Sequence, residues 1–287
     1  MAANIRLLQR RRRTAKNIAQ ITRAMEMVAA SKMRKAQEKT VAAKPYSDKL
    51  RLLSQNLIGR IEESKHPYLL PRQKGKTLVL LVSSDKGLCG GFNSSLLREF
   101  LRFVKEKSEV EVVTVGKKLK KAVLRTEALL IADFPFGSSV PLFESILPVV
   151  NLIKDGFIKG EYKKVAALFT QFVSLGVQKP VFTTILPVEK ETEELSKTAV
   201  AISYKFEPNT SELLTALMPH YLEMSIYQIL LESYASEQAA RMLAMHQASE
   251  NAKDVIWQLS LTYNKVRQER ITNELLDIAG GAMGVSL

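Results

Sequence analysis

Hydrophobic and polar positions form long helical patterns at both ends of the chain. Near the C terminus, the run from His220 to Ala279 contains neither glycine nor proline and is rich in Ala, Leu, Met, Glu and Gln. These residues favour helix, and at 1.5 Å per residue the run predicts a helix roughly 90 Å long. One compact domain cannot bury a helix of that length, so it needs a partner along most of it.

The N-terminal run supplies a candidate partner. Residues Met1 to Lys44 also lack glycine and proline, and each run carries one row of apolar or small residues with coiled-coil spacing. The predicted seam consists of Ile5, Leu8, Ala15, Ile18, Thr22, Met25, Ala29 and Ala36 on the first helix, and Ala235, Ala239, Met242, Ser249, Ala252, Ile256, Leu259, Tyr263 and Val266 on the second. If residues 57 and 220 lie level, residue 4 lies opposite about residue 273. The alternative is two separate amphipathic helices packed on the middle of the chain.

The middle of the chain alternates strand-like and helix-like segments. Five short apolar, β-branched runs predict strands at residues 77–83, 110–115, 129–133, 165–170 and 181–186, the last two as a hairpin across Gly176. Helical segments are predicted at about 93–107, 117–125 and 141–154. The fold class is therefore α/β: a long antiparallel coiled coil of N- and C-terminal helices plus a central Rossmann-like α/β domain with a mostly parallel sheet. The predicted segments are 1–60, 61–208 and 209–287.

The charge is distributed unevenly and supports the pairing of the two ends. The net charge is +13 overall, and it divides into +11 for residues 1–51, +6 for 52–209 and −4 for 210–287. A basic helix beside an acidic one is favourable and helps to set register. The arginine run Arg10 to Arg13 also allows a nucleic-acid-binding coiled coil, although no aromatic residue precedes Tyr46 to stack on bases. A solvated face, or one that meets an acidic protein, is the plainer interpretation.

A glycine-rich turn from Ser84 to Asn93 follows the first predicted strand and precedes a helix. That is where α/β folds bind phosphates, but glycines at 87, 90 and 91 match neither common nucleotide-binding spacing. A structural turn, a loop that contacts a partner and a nucleotide-binding turn all remain open. Cys89 is the single cysteine, which excludes an internal disulfide and is typical of a reducing compartment. No spacing of histidines, cysteines or carboxylates predicts a metal or catalytic site, and no apolar run predicts a membrane span.

Longer motifs run in order along nearly the whole chain. They are ITRAMEMVAASKMRKAQ from Ile21, SDKGLCGGFN from Ser84, SEQAARM from Ser236, and YNKVRQ from Tyr263 followed by Ile271, Thr272 and Glu274. Together these motifs resemble the gamma subunit family of F-type ATP synthase. The resemblance implies a central-stalk rotor whose coiled coil turns inside a 3:3 hexamer of alpha and beta subunits. The α/β domain would then contact the epsilon subunit and the membrane c-ring.

The resemblance also implies residue roles. The residues expected to face the alpha/beta hexamer are Met25, Lys86, Gly87, Cys89, Arg267, Gln268, Thr272 and Glu274; those expected in the foot, against epsilon and the ring, are Tyr204 and Glu207. The family implies no cofactor, no catalytic residue in this chain and no nucleic acid. It implies a peripheral position on the cytoplasmic face of a bacterial inner membrane, with the mitochondrial matrix face as the alternative.

Two departures from the family pattern are visible. Glu269 and Arg270 place charge where members more often carry small residues, so contacts near that end of the helix are expected to differ. The two-cysteine regulatory insert of chloroplast members is missing, which argues against a thiol switch.

Overall fold

The computed structural model describes residues 2–59, 66–107, 109–189 and 209–284, with side chains from residue 5 to residue 276. It forms two compact units. The helical unit comprises Met1–Val28 and Met242–Leu287, and the sheet unit comprises Ala29–Arg241. The boundaries predicted near residues 60 and 208 separate the terminal helices from the middle of the chain, whereas the two compact units divide each long helix. The predicted boundaries therefore remain predictions.

The helices and strands follow the predicted order. In chain order they are α1 (Ala2–Ile58), β1 (Lys76–Val82), α2 (Phe92–Glu106), β2 (Val110–Val115), α3 (Lys120–Val123), β3 (Leu129–Phe134), a 3-10 turn (Phe143–Ile146), α4 (Leu147–Lys159), β4 (Tyr162–Phe172), β5 (Gln178–Leu186) and α5 (Thr210–Gly284). Long terminal helices with a mixed α/β centre confirm the predicted fold class.

The five strands form one sheet in the order β3-β2-β1-β4-β5. β1 pairs in parallel with both β2 and β4, β2 pairs in parallel with β3, and the hairpin strand β5 pairs antiparallel with β4. The strand order reverses between β1 and β4, because β2 and β3 extend to one side of β1 and the later strands to the other. In open α/β sheets, ligands bind beyond the carboxyl ends of the strands at such a reversal.

The sheet is covered on both faces, which explains why its central strands are continuously apolar. One face packs against α4 and part of α5, with Leu80, Val113, Ile153 and Ile226 fully buried. The other face packs against α2 and α3 through Leu81, Val112, Leu96 and Phe100. All six residues of β2 are buried.

α5 begins earlier than the proline-free run suggested. Asn209 caps the helix by accepting a hydrogen bond from the Glu212 N–H at 2.8 Å, and its side-chain amide donates to the Glu212 carboxylate at 2.6 Å. This reciprocal pair fixes the first turn. The helix then continues through Pro219 and past Gly280. Likewise α1 passes through Pro45.

In the helical unit the two helices pair antiparallel. Gln9 donates a hydrogen bond to Tyr263 at 3.2 Å, and Glu26 contacts His246 at 3.1 Å. The contact therefore moves 17 positions up α1, from 9 to 26, as it moves 17 positions down α5, from 263 to 246. This register places residue 4 opposite about residue 268, so the predicted offset was wrong by about five residues. The prediction assumed that residues 57 and 220 lie side by side on the two helices, and no contact supported that assumption.

The predicted seam is largely the less exposed row of each helix. In the helical unit Ala15 and Ala252 are buried, as is Ser249, and Met25, Ile256 and Tyr263 are half-buried. Ile18 was wrongly assigned to the seam, because it is 48% exposed while Ala19 is half-buried beside it. Spacing alone cannot separate two adjacent positions where the apolar row drifts around the helix.

Candidate functional site

The turn between β1 and α2 is held by buried and partly buried side chains of its own. Asp85 accepts backbone N–H groups from Lys117 at 3.1 Å, Phe136 at 3.3 Å and Gly137 at 2.8 Å. One carboxylate therefore joins the start of the turn to the chain segments that leave β2 and β3. Such multiple acceptance fixes the turn relative to the carboxyl edge of the sheet.

A second cluster closes the turn from inside. The Asn93 side-chain amide donates to the Ser84 hydroxyl at 2.7 Å and to the Cys89 sulfur at 3.2 Å, and its oxygen accepts from the Ser84 N–H at 3.3 Å. Cys89 is only 2% exposed, and burial raises the pKa of its thiol. The Cys89 side chain thus faces the protein interior, whereas Lys86 is exposed and Gly87 is half-exposed.

α5 packs across the outside of this turn. Glu237 and Arg241 form an ion pair at 2.6 Å with side-chain exposures of 6% and 11%. The Arg241 guanidinium also donates to the carbonyl oxygens of Lys86 at 3.3 Å and Gly87 at 3.4 Å. Burial raises the pKa of Glu237, and Arg241 opposes that rise. The pair therefore ties the helix to the backbone of the turn.

The same stretch of α5 reaches the other strand ends. Tyr234 donates to the Ser138 carbonyl beyond β3 at 3.1 Å, and Glu232 accepts the N–H of Phe172 at the end of β4 at 3.3 Å. Together with Arg241 on the turn after β1, these contacts cover the carboxyl edge of the sheet on both sides of the strand-order reversal. The chain's own helix thus contacts the segments at the edge where α/β folds usually hold a nucleotide.

The predicted hexamer-facing residues of the helical unit lie in two separate places. Arg267, Gln268, Thr272 and Glu274 are exposed along α5, and Glu274 pairs with Arg270 at 2.6 Å. Met25 is half-buried on α1, one residue from the Glu26 contact with His246. Because His246 and Arg267 are 21 positions apart on one helix, Met25 lies roughly 30 Å along the axis from the Arg267 group.

Basic side chains cluster in the first turns of α1 in the helical unit. An open groove of about 810 Å³ is lined by Arg6, Gln9, Arg10, Arg12, Arg13 and Lys16 of α1 and by Ile256 and Ser260 of α5. Arg12 lies over the Tyr263 ring, 5.1 Å from its centroid. The cationic lining of this groove favours a negatively charged partner.

Two of the predicted site residues, Tyr204 and Glu207, lie outside the described residues. Sequence reasoning assigned no role to Glu237 and Arg241, because an i,i+4 ion pair on a helix looks the same whether it is solvated or buried. Within the described residues, no group of three His, Cys, Asp or Glu side chains could hold a metal ion. Over the same residues, none of the helices combines the length and hydropathy needed to cross a bilayer.

Comparison with known proteins matches the chain from end to end. A family model described as ATP synthase matches residues 4–285. The ATP synthase gamma chain of Dehalococcoides mccartyi is 43% identical over 99% of this chain and 100% of its own length. The chain belongs to the ATP synthase gamma chain family. The gamma chain of Chloroflexus aurantiacus is 40% identical over 98% of both chains.

Solved structures agree with the gamma chain fold. A chain of the Tetrahymena thermophila mitochondrial ATP synthase central stalk and c-ring is 27% identical, covers 80% of this chain and 99% of its own, and has a TM-score of 0.61. A chain of the Euglena gracilis mitochondrial ATP synthase, in an assembly described as OSCP/F1/c-ring, superposes with a TM-score of 0.69 over 99% of this chain and 95% of its own, at 19% identity. The expected family and fold are thereby confirmed.

Proposed function

We propose that this chain is the central-stalk rotor subunit of an F-type ATP synthase. In that role it transmits torque between the membrane ion-translocating ring and the alpha/beta catalytic hexamer. The observation that carries the proposal is the end-to-end match to gamma chains at about 40% identity. The antiparallel pairing of the chain's two ends supports it, because a pair of packed helices is stiff enough to transmit torque.

The coupling of rotation to nucleotide affinity follows from the asymmetry of the helix pair. A slim helix pair presents different side chains in different directions: the basic groove on one side, and exposed apolar residues such as Ile21, Met27 and Trp257 elsewhere. Each of three surrounding catalytic sites meets a different face, so the rotor favours a different conformation in each. Turning the rotor redistributes those preferences, which couples rotation to nucleotide affinity by differential contact.

In this proposal the chain itself is not catalytic, and nucleotide chemistry belongs to the hexamer. The contacts of α5 along the carboxyl edge of the sheet support this assignment, because Glu232, Tyr234 and Arg241 bind the chain's own backbone there. The chain would be peripheral to the membrane, on the cytoplasmic face of a bacterial inner membrane, through its contacts with the ring.

Residue roles extend the same proposal. Met25, Arg267, Gln268, Thr272 and Glu274 would contact the hexamer. The turn at Lys86, Gly87 and Cys89 would lie near its rim. Tyr204 and Glu207 would belong to the foot, against epsilon and the ring. Segments 1–60 and 209–287 would form the shaft, and 61–208 the globular part.

Co-purification tests the proposal most simply. The tagged chain, expressed with alpha, beta and epsilon subunits, should emerge with a 3:3 hexamer at one copy and should restore ATP-driven ion pumping in membranes. Equilibrium dialysis of the isolated chain with ATP should show no stoichiometric binding. A chain that binds ATP tightly and leaves the hexamer in a separate fraction would refute the rotor assignment.

A further inference from the structure

The groove of the helical unit holds positive charge that the described part of the chain does not neutralise. Five cationic side chains line it, namely Arg6, Arg10, Arg12, Arg13 and Lys16. The first of these to be fixed in place is Arg12, which is half-buried over the Tyr263 ring, while the other four are exposed. Among the described residues, none of the five takes part in an ion pair.

The sequence around the groove explains why these charges have no acidic partner. On α1 the first acidic residue is Glu26, and on α5 no Asp or Glu lies between Asp254 and Glu269. In the observed register, residues 256–267 of α5 run alongside about residues 5–16 of α1. The charge complementarity expected between the two helices is therefore missing where α1 is most basic.

Three other cations of the helical unit do have acidic neighbours. The pairs are Arg23 with Glu26, Lys253 with Glu250 and Arg270 with Glu274, at 2.6–2.9 Å. In the groove, by contrast, Arg10 lies four positions from Arg6 and three from Arg13, so each has a like charge beside it. Like charges at such spacings destabilise a helix. An anion bound along the groove would remove that cost.

The cations form a row along α1, and this shape indicates an extended ligand. Arg6, Arg10 and Arg13 recur every three or four positions, so they share one side of the helix, and Lys16 extends the row. Ten residues of helix rise about 15 Å. A single phosphate ion can reach only part of the row, whereas a chain of linked phosphates can contact all of it. Guanidinium groups suit such a ligand, because one arginine can donate two parallel hydrogen bonds to one phosphate.

The rest of the lining favours a phosphate chain over single-stranded nucleic acid. Gln9 and Ser260 add polar groups and Ile256 adds apolar surface, and none of the described residues that line the groove is aromatic. Binding of single strands depends on bases that stack on aromatic rings. Trp257 is exposed, but it is not part of the lining.

We propose that this groove binds an extended polyphosphate anion, held along α1 by Arg6, Arg10, Arg13 and Lys16. The site goes beyond the proposed rotor function and does not depend on it. The anion takes the place of the acidic partner that α5 does not provide here. Because it would bind only where the two helices are paired, it should also stabilise the folded chain.

Binding of long-chain inorganic polyphosphate to the full chain, followed by calorimetry at physiological salt, tests the site. The groove variant carries Arg6→Gln, Arg10→Gln and Arg13→Gln. The control carries Arg98→Gln, Arg102→Gln and Arg125→Gln, at exposed arginines of the sheet unit. Each variant loses three positive charges, so its net charge falls from +13 to +10.

The two variants should differ although their net charges are equal. The groove variant should bind polyphosphate about tenfold or more weakly than wild type, and the control should stay within about twofold. The slope of log affinity against log salt should become shallower by about two in the groove variant alone. Equal losses in both variants would show that binding follows net charge and would overturn the inference. Tighter binding of a single-stranded oligonucleotide of matched charge, or no polyphosphate binding at all, would overturn it as well.

Urea unfolding separates binding from folding. Without polyphosphate, the groove variant should be at least as stable as wild type, because it removes like charges from neighbouring positions. A less stable groove variant would contradict the repulsion on which the inference rests. Added polyphosphate should raise the urea midpoint of wild type and the control but not that of the groove variant, and an equal rise in all three would place binding elsewhere.

Discussion

Arg241 of α5 contacts the β1–α2 turn, and its buried ion pair with Glu237 should set most of the cost of removing it. The two side chains of the pair are 6% and 11% exposed and 2.6 Å apart. Removing one partner of a buried pair leaves an uncompensated charge and costs about 3–5 kcal/mol. The Lys86 and Gly87 carbonyls can bind water once Arg241 is gone, so loss of these two hydrogen bonds adds little to the cost in stability. Arg241→Ala should therefore lower the free energy of unfolding by about 3–5 kcal/mol.

The assay is urea unfolding of the full chain followed by circular dichroism, with a matched control. Arg102 forms a similar intrahelical pair with Glu99 on α2, but their side chains are 64% and 29% exposed. Arg102→Ala should cost no more than about 1 kcal/mol, as is usual for surface pairs. Equal effects of the two substitutions would refute the argument from burial.

The pH dependence gives an independent check. Burial raises the folded-state pKa of Glu237 from its ordinary value of 4.5, and Asp85 adds to the rise while Arg241 and Lys32 oppose it. A carboxyl with a raised folded pKa holds more protons folded than unfolded, so its contribution to stability falls as pH rises through that window. Without the opposing charge of Arg241, the folded-state pKa of Glu237 rises further, so the pH range over which stability falls extends to higher pH. The cost of Arg241→Ala should therefore be larger at pH 8 than at pH 5, and a cost independent of pH would contradict this account.

Three further outcomes are expected. Gly116→Ala should unfold at much lower urea than wild type, because its φ is 99° and the added Cβ would lie 2.1 Å from the Ser83 carbonyl oxygen; Gly137→Ala, at φ 86° with nothing within 4 Å, should cost only about 1–2 kcal/mol. Cysteines replacing Gln9 and Tyr263 should be joined by a flexible bismaleimide, because the tips of the two native side chains meet at 3.2 Å; a cross-linker that joins neither cysteine to the other in mass spectrometry would contradict the observed register. Met25→Lys should lower ATP-driven pumping per ATP hydrolysed, and unchanged coupling would remove Met25 from the proposed interface.

Continuous apolar runs allowed the sheet to be predicted well. β2 was predicted with both ends correct, because a strand covered on two faces is apolar at every position. β4 and β5 are longer than predicted, because their polar residues are held by pairing that propensity does not register: Tyr162 and Lys164 at the start of β4 pair with β1, and the hairpin ends of β4 and β5 pair with each other. The predicted helix at 141–154 is a 3-10 turn followed by α4, which ends at Lys159 and is capped by Gly160 with φ 87°.

The candidate site was harder to predict from the sequence. Motif resemblance led to the turn and to the exposed α5 residues, but it could not tell that Cys89 faces inward and Leu88 outward. That distinction depends on one backbone angle, the φ of 62° at Leu88, and on Arg241, a residue 153 positions away from Leu88 that meets the turn only in the folded sheet unit. The register between α1 and α5 likewise became known only from two contacts between residues distant in sequence, Gln9 with Tyr263 and Glu26 with His246.

Rotation of the chain within its complex is the most direct test of the central claim. Leu175, half exposed in the β4–β5 hairpin, can be replaced by cysteine and labelled, while the native Cys89 is buried. With the alpha/beta hexamer fixed to a surface and one copy of the chain bound, ATP should drive continuous rotation of the label in one direction. A label that stays still, or only jitters, while the same complexes hydrolyse ATP would contradict the account.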